Sequence, residues 1–68
     1  MKYEVGDRVT VKDYDYLLKW YPTADEYVLN CAGRRATIME VDVAGQYYVI
    51  DLDGEKYGWI NSDFVKEV

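Results

Sequence analysis

The sequence predicts a small, mainly β fold: a five-stranded barrel with a long aromatic loop and one short helix inserted after the first strand. Three observations lead to this prediction. The chain has 68 residues, which suits a single domain over residues 1–68 and is too short for two. Short alternating apolar segments are separated by turn residues, as in small β domains. Five such strands cannot form a two-layer sandwich at this length, and closure into a barrel removes exposed sheet edges.

The first strand is predicted at residues 8–12, where Val9 and Val11 alternate with polar residues. The alternation breaks from Asp13 to Gly33. Aromatic and acidic side chains crowd the first half of this segment, and the chain's only proline follows them. We therefore expect a long aromatic loop directly after the first strand.

One short helix is predicted inside this segment. The sequence Thr23-Ala24-Asp25-Glu26 matches a capping box, in which the Thr23 hydroxyl accepts from the N3 amide and Glu26 reaches back to the N–H of the cap. Gly33 is placed to end the helix in a left-handed conformation. Four apolar residues share one face at helical spacing: Ala24, Val28, Cys31 and Ala32.

The rest of the chain predicts four further strands. Residues 35–43 are rich in β-branched side chains, but the apolar parity switches near Met39-Glu40, which predicts a bulge or bend. Asp53-Gly54 is a strong hairpin signal, so strands are expected on both sides of it. The remaining predicted elements are strands at 46–52, 55–60 and 64–68, with one tight helical turn at 61–63.

Charge and cysteine usage limit the function classes. Eight Lys and Arg against thirteen Asp and Glu give a net charge of −5, which repels phosphate backbones and attracts cations, so no direct nucleic-acid binding is expected. Cys31 is the only cysteine and there is no histidine, so we expect no internal disulfide, no Cys/His metal site and no cofactor. No apolar stretch is long enough for a membrane span, and we expect a cytoplasmic protein with no membrane partner.

Catalysis is not expected either. The chain has no histidine to act as the base of a nucleophilic triad, and Cys31 lies among apolar neighbours in the predicted helix. Carboxylate pairs do occur, Asp13 with Asp15 and Asp51 with Asp53. They lie in predicted exposed turns, where burial does not prepare them for acid–base work.

The second half of the chain resembles a known family. Residues 53–65 resemble the closing stretch of the Src-homology-3 (SH3) superfamily, especially its bacterial branch, with a turn, a Gly-Trp-aliphatic strand and a Ser-x-aromatic-aliphatic turn in that order. Residues 46–51 resemble the strand before it, and residues 6–9 resemble the opening of many small barrels. The resemblance implies an SH3-like barrel, a packed Trp59, and binding of a short peptide or a cell-wall ligand.

A second resemblance concerns the aromatic loop. The sequence Asp13-Tyr14-Asp15-Tyr16-Leu17 is similar to the Ala-Leu-Tyr-Asp-Tyr motif of eukaryotic SH3 members, whose tyrosines line a groove for proline-rich peptides. The resemblance implies that the two tyrosines line such a groove and that the two aspartates form its acidic pocket. It also implies that Phe64 is the counterpart of that family's closing tyrosine.

Aromatic and acidic side chains together predict an interaction face. The chain has eight tyrosines, which cannot all be interior in a domain of this size. The structural alternative is that the loop folds back and caps the barrel with these rings. Exposed rings offer cation–π contacts, and carboxylates attract cations. The predicted interaction residues are Asp13, Tyr14, Asp15, Tyr16, Trp20, Tyr21, Tyr47, Asp51, Asp53 and Tyr57.

The leading functional hypothesis is a non-enzymatic protein-interaction module, or a small inhibitor, that binds a basic protein surface or peptide through this face. In the inhibitor version, carboxylates occupy a nucleic-acid-binding channel in place of phosphates, as small acidic proteins of phages and mobile elements do. Two alternatives stay open. One is the peptide or cell-wall ligand, and the other is a homo-oligomeric structural protein whose aromatic patch meets a second copy.

Overall fold

The computed structural model describes residues 2–66. Their fold is mainly β, a four-stranded antiparallel sheet with two short helices. The elements are strand β1 (Arg8–Val11), helices α1 (Tyr14–Trp20) and α2 (Glu26–Leu29), strands β2 (Arg35–Asp42) and β3 (Tyr47–Ile50), a 3-10 turn (Asn61–Asp63) and strand β4 (Phe64–Lys66). The strand order is β3-β2-β1-β4. Residues 67 and 68 of the predicted last strand lie outside the described residues.

Strand β2 contains the predicted bulge. Ile38 pairs with Ile50 and the next pair is Glu40 with Val49, so Met39 is the extra residue. One extra residue reverses which side chains face inward, because strand side chains alternate with a period of two. The switch of apolar parity in the sequence is thereby explained, and the predicted bend is confirmed.

The described sheet has four strands and is not closed, whereas the sequence predicts a five-stranded barrel. In place of the strand expected at 55–60 there is one bridge, in which Tyr48 N–H donates to the Trp59 carbonyl (2.6 Å) and Trp59 N–H donates back (2.8 Å). The N–H groups of residues 55–57 instead donate to the Asp53 side chain. A carboxylate that accepts three backbone donors competes with strand pairing, which explains the missing strand.

Helix α1 occupies the first part of the predicted aromatic loop. Asp13 caps it, since its Oδ1 accepts from Tyr16 N–H at 2.9 Å. Asp15 in the first turn and Lys19 in the last suit the helix dipole. Leu17 is fully buried and anchors the helix to the core. The loop prediction was wrong here, because the irregular spacing of the aromatic residues hides the helical period of a helix with one buried anchor.

Helix α2 is shorter than predicted and begins later. Its N-cap is Asp25 and not Thr23: the Asp25 Oδ1 accepts from the N–H groups of Tyr27 (3.0 Å) and Val28 (3.3 Å). The chain then continues as hydrogen-bonded turns to Gly33. The φ of Gly33 is 72°, which is the left-handed conformation that the sequence predicts for this glycine.

Much of the core is aromatic. Tyr3 lies edge-on to Tyr48 and to Phe64, with ring centroids 5.5 Å and 5.8 Å apart. The ring centroids of Trp59 and Phe64 are 6.0 Å apart, and Trp59 is 2% exposed, so the predicted burial of Trp59 is confirmed. Large rings compensate for the small core of so short a chain. Within residues 2–66, no helix has the length and apolar character that crossing a membrane requires.

Candidate functional site: two adjoining aromatic grooves

An aromatic groove opens between the segment that follows α1 and the segment that contains Gly58 and Trp59. Its volume is about 430 Å³, and its walls include Trp20, Tyr21, Pro22, Tyr57 and Trp59. Trp20 is 60% exposed, so most of its indole is available to a ligand. A concave, mostly apolar site of this volume is typical of a binding site. We call it the first groove.

A second groove of about 390 Å³ adjoins the first. It is lined by Tyr16, Trp20, Tyr21, Ile60 and Ser62, so Trp20 and Tyr21 belong to both grooves. Tyr16 and Trp20 lie one turn apart on α1, and their ring centroids are 6.2 Å apart. The end of α1 therefore provides the wall that the two grooves share.

Tyr21 is held against the 3-10 turn by Asp63. The Tyr21 hydroxyl donates to both carboxylate oxygens, at 2.8 Å and 3.0 Å, and Ile60 N–H donates to Oδ2 at 3.0 Å. Asp63 is 2% exposed. Burial, together with the hydrogen bond to Asp63, raises the pKa of Tyr21 well above its ordinary value. The hydroxyl therefore remains a donor and keeps this wall in place.

Tyr57 is held on the opposite wall by Asp25. Its hydroxyl donates to the second oxygen of the carboxylate that caps α2. This hydrogen bond raises the pKa of Tyr57 to about 12 and lowers the pKa of Asp25. One aspartate thus starts α2 and ties it to a tyrosine 32 residues further along the chain.

Trp59 is held by Asp53, which lies inside the fold. The Trp59 indole N–H donates to Asp53 Oδ2 at 3.0 Å, and Asp53 is 6% exposed. The same carboxylate accepts the backbone N–H groups of residues 55–57. A buried acid with four donors fixes both the turn and the ring that follows it.

Gly58 has no room for a side chain, because the ring of Tyr47 packs against it. A Cβ built at Gly58 would lie 2.9 Å from Cδ1 and 3.0 Å from Cγ of Tyr47. The other side of the ring lies against Gly45, where a Cβ would lie 2.6 Å from Cε2. A hydrogen bond with Asp42 raises the pKa of Tyr47. Tyr47 therefore packs behind Gly58 and supports the segment that carries the first groove.

The charged groups that line the first groove are both carboxylates. They belong to Asp25 and Asp63, and no lysine or arginine of residues 2–66 lines this groove. The second groove is lined by aromatic, aliphatic and hydroxyl side chains. The pair of grooves therefore combines one site with negative charge and one neutral, mostly apolar site.

Lysines of the chain already lie over several exposed rings. The Lys56 Nζ is 4.3 Å from the ring centroid of Tyr27 and 5.8 Å from that of Tyr57. The Lys19 Nζ is 5.8 Å from the Trp20 ring. Cation–π attraction extends to about 6 Å, so the two contacts at 5.8 Å are near its outer limit. A cation seated closer would bind the rings of Trp20 and Tyr57 more strongly.

The structure brings together four of the six aromatic residues of the predicted interaction face. Trp20 and Tyr21 line both grooves, Tyr57 lines the first and Tyr16 lines the second. Tyr14 is exposed on α1 but lies outside both grooves. Helix α1, which the sequence did not predict, places Tyr16, Trp20 and, at its C-cap, Tyr21 along one wall.

The acidic members have other roles. Asp13 caps α1, and Asp15 lies exposed in its first turn. The Asp51 Oδ1 accepts from Thr37 N–H at 3.1 Å, and Asp53 is buried under Trp59. Of the predicted aspartates none lines a groove in residues 2–66.

Other groove residues escaped the sequence prediction. Asp25 and Asp63 were visible only as turn and capping residues. The tyrosines that donate hydrogen bonds to them, Tyr57 to Asp25 and Tyr21 to Asp63, are far away in sequence, so no local pattern predicts these contacts. The remaining unpredicted lining residues named above are Pro22, Gly58, Trp59, Ile60 and Ser62.

Comparison with protein families identifies the segment that carries these grooves. The family model of the GW (Gly-Tryp) dipeptide domain matches residues 18–66, which include the end of α1 and the Gly58-Trp59 dipeptide. Searches among curated proteins and solved structures gave no match. The predicted membership of an SH3-like family was wrong, because the family that matches is a different one. The chain belongs to the GW (Gly-Tryp) dipeptide domain family.

Proposed function

We propose that this GW domain is a non-enzymatic protein-interaction module whose two grooves bind a basic segment of a partner protein. The proposal is carried by the first groove, where the exposed ring of Trp20, the half-buried rings of Tyr21 and Tyr57 and two carboxylates line one concavity. Rings supply buried area and cation–π attraction, and carboxylates attract a positive charge. The net charge of −5 adds a long-range attraction for the same kind of partner.

The shape of the site favours an extended segment over a flat surface. The grooves are concave and share the wall formed by Trp20 and Tyr21, so neighbouring side chains of one segment reach both. Buried aromatic anchors in pockets supply most of the binding energy of such contacts. We expect the basic side chain in the first groove and an apolar one in the second.

The non-enzymatic part of the proposal is supported by Cys31. Its thiol is buried and donates to the carbonyl oxygen of Tyr27 at 3.2 Å. Burial raises its pKa, which disfavours the reactive thiolate. The chain also has no histidine to serve as its base.

The inhibitor version, in which carboxylates replace the phosphates of a nucleic acid, has less support. Asp13 and Asp25 cap helices, and Asp53 and Asp63 are buried and accept hydrogen bonds within the chain. A phosphate mimic needs its carboxylates arrayed on the surface. A cell-wall ligand, self-association into a homo-oligomer and a cytoplasmic location stay predictions of the sequence.

Tryptophan fluorescence tests the proposal. Trp59 is buried and Trp20 is exposed, so a ligand in the grooves changes mainly the emission of Trp20. The probes are pools of short peptides with a central lysine or arginine, and matched pools with glutamine there. We expect the basic pools to bind with an affinity that falls as salt rises, and the glutamine pools to bind weakly. Equal binding by both pools, or by neither, contradicts the proposal.

A pair of variants on α1 locates the site. Trp20 and Tyr14 are 60% and 52% exposed, but only Trp20 lines the grooves. With labelled peptides, Trp20→Ala should lose binding and Tyr14→Ala should keep it. Binding of the same two variants to purified cell-wall material tests the alternative of a cell-wall ligand. Sedimentation of the free protein tests the alternative of self-association.

A further inference from the structure

Both carboxylates at the first groove already accept hydrogen bonds from within the chain. Asp63 accepts from the Tyr21 hydroxyl on both oxygens and from Ile60 N–H. Asp25 accepts from the Tyr57 hydroxyl on one oxygen and from two backbone N–H groups of α2 on the other. A carboxylate has about four acceptor positions, so few remain for the N–H groups of a ligand. The groove offers negative charge with little capacity to accept further hydrogen bonds.

This arrangement discriminates between kinds of cation. A guanidinium carries five N–H donors and an ammonium carries three, and each donor that loses water without a new acceptor costs binding free energy. A quaternary ammonium carries the same charge but has no donor. Its methyl groups also present apolar surface to aromatic rings. A groove of rings and already engaged carboxylates therefore favours the fully methylated cation.

The same hydrogen bonds strengthen the rings as cation acceptors. When a phenol donates to a carboxylate, its oxygen becomes more electron-rich, and the negative face of the ring is reinforced. Tyr21 and Tyr57 both donate in this way, one on each wall of the groove. The hydrogen bond raises the pKa of Tyr57 to about 12, so its hydroxyl keeps its proton at neutral pH.

We infer that the first groove binds a trimethylated lysine side chain of a partner segment, with an apolar neighbour of that lysine in the second groove. The inference rests on the proposed function and specifies its ligand. The second groove suits the apolar neighbour because Tyr16, Ile60 and Ser62 line it beside the shared wall. A phosphocholine headgroup carries the same cation, but its phosphate would lie close to Asp25 and Asp63 and be repelled.

The test compares four forms of one short peptide with a leucine beside its central residue. The central residue is trimethyl-lysine, lysine, arginine or the uncharged tert-butyl isostere of trimethyl-lysine. Nitrogen–proton correlation NMR follows the indole N–H groups of Trp20, which lines both grooves, and of Trp59, which lines the first. Trimethyl-lysine should bind about two- to thirty-fold more tightly than its isostere. It should also bind more tightly than arginine and lysine, and free phosphocholine should leave the Trp20 signal unshifted.

The outcomes separate this inference from the proposed function. If the arginine or the lysine peptide binds as tightly as trimethyl-lysine, the inference is overturned and the proposed function stands. If the neutral isostere binds as tightly, positive charge contributes nothing, and both the inference and the proposed function fall. A phosphocholine response in the groove without peptide binding also overturns it. If none of the peptides binds, both fall.

A variant of Tyr57 tests the mechanism of selectivity. Tyr57→Phe keeps a ring on the wall but releases one oxygen of Asp25, while the other oxygen still caps α2. We expect the ratio of trimethyl-lysine to arginine affinity to fall, because the freed oxygen can accept from a guanidinium. Tyr14→Phe, outside both grooves, is the matched control and should keep the ratio. A purely structural role for Tyr57 would weaken all peptides equally, and an unchanged ratio overturns the mechanism.

Discussion

The segment that carries Gly58 and Trp59 depends on the carboxylate of Asp53, and Asp53→Asn is the sharpest test of that dependence. Oδ1 accepts from the N–H groups of Glu55 (3.1 Å) and Lys56 (3.4 Å). Oδ2 accepts from Tyr57 N–H (3.1 Å) and from the Trp59 indole N–H (3.0 Å). Asparagine has the same shape, but one oxygen becomes an NH₂ group. In either orientation of the amide, two of the four donors then face another donor.

The loss of stability follows from this count. A hydrogen bond to a charged acceptor contributes about 1.5–3 kcal/mol, so losing two such bonds costs about 3 kcal/mol or more. A chain of 68 residues has a free energy of unfolding of roughly 3–10 kcal/mol. The substitution should therefore remove a large share of the stability although it leaves the side-chain volume nearly unchanged.

Urea unfolding followed by far-ultraviolet circular dichroism measures the loss. Asp51→Asn is the matched control, because Asp51 is exposed and an amide oxygen can still accept the hydrogen bond from Thr37 N–H (3.1 Å). We expect the control to lose less than about 1 kcal/mol. Equal losses in the two variants would refute the assignment of Asp53 as the support of this segment.

Three further predictions concern packing and ionisation. Gly58→Ala should cost about 1–3 kcal/mol because its Cβ meets the Tyr47 ring, and Tyr47→Ala should relieve that cost in a double-mutant cycle; additive losses would contradict the contact. The buried Tyr3 hydroxyl has no hydrogen-bond partner in residues 2–66, so Tyr3→Phe should leave the thermal midpoint unchanged or raise stability by about 1 kcal/mol, and a clear loss would contradict this. The pKa of Tyr57 is raised to about 12, so its contribution to stability is present below pH about 10 and is lost as pH rises toward 12. In an alkaline absorbance titration, Tyr57→Phe should lose one tyrosine that ionises near pH 12, and an unchanged titration would contradict the hydrogen bond to Asp25.

The sequence predicts those features of the fold that local patterns determine. The bulge at Met39 was visible in the sequence because the apolar residues of β2 change from even to odd positions there. Strand side chains alternate with a period of two, so one extra residue is needed to keep the apolar side chains of both halves of β2 facing inward. The 3-10 turn at Asn61–Asp63 and the left-handed Gly33 were visible from residue type. Burial of Trp59 came from the resemblance and is confirmed.

The remaining features depend on contacts between residues far apart in sequence. Asp53 looks like one residue of an ordinary Asp-Gly hairpin, and only the fold shows that its carboxylate replaces a strand ladder. Helix α1 is missed because its packing relies on Leu17 among many rings. The grooves are missed because Tyr21 and Tyr57 meet their aspartates only after folding.

The Gly-Trp dipeptide has a physical explanation in this chain. Gly58 leaves the space that the Tyr47 ring fills, and Trp59 buries its ring while its indole N–H satisfies Asp53. The two residues thus fix the segment that carries Tyr57 in the wall of the first groove. Both residues also line that groove themselves.

The most direct test of the central claim is a map of backbone amide shifts upon addition of the trimethyl-lysine peptide to the isotope-labelled protein. The account predicts that the shifts cluster within residues 16–25 and 57–63, the two segments that contain most of the groove-lining residues, and that β2 and β3 remain unshifted. Shifts confined to the sheet, or none at peptide concentrations that saturate the fluorescence response, would contradict it.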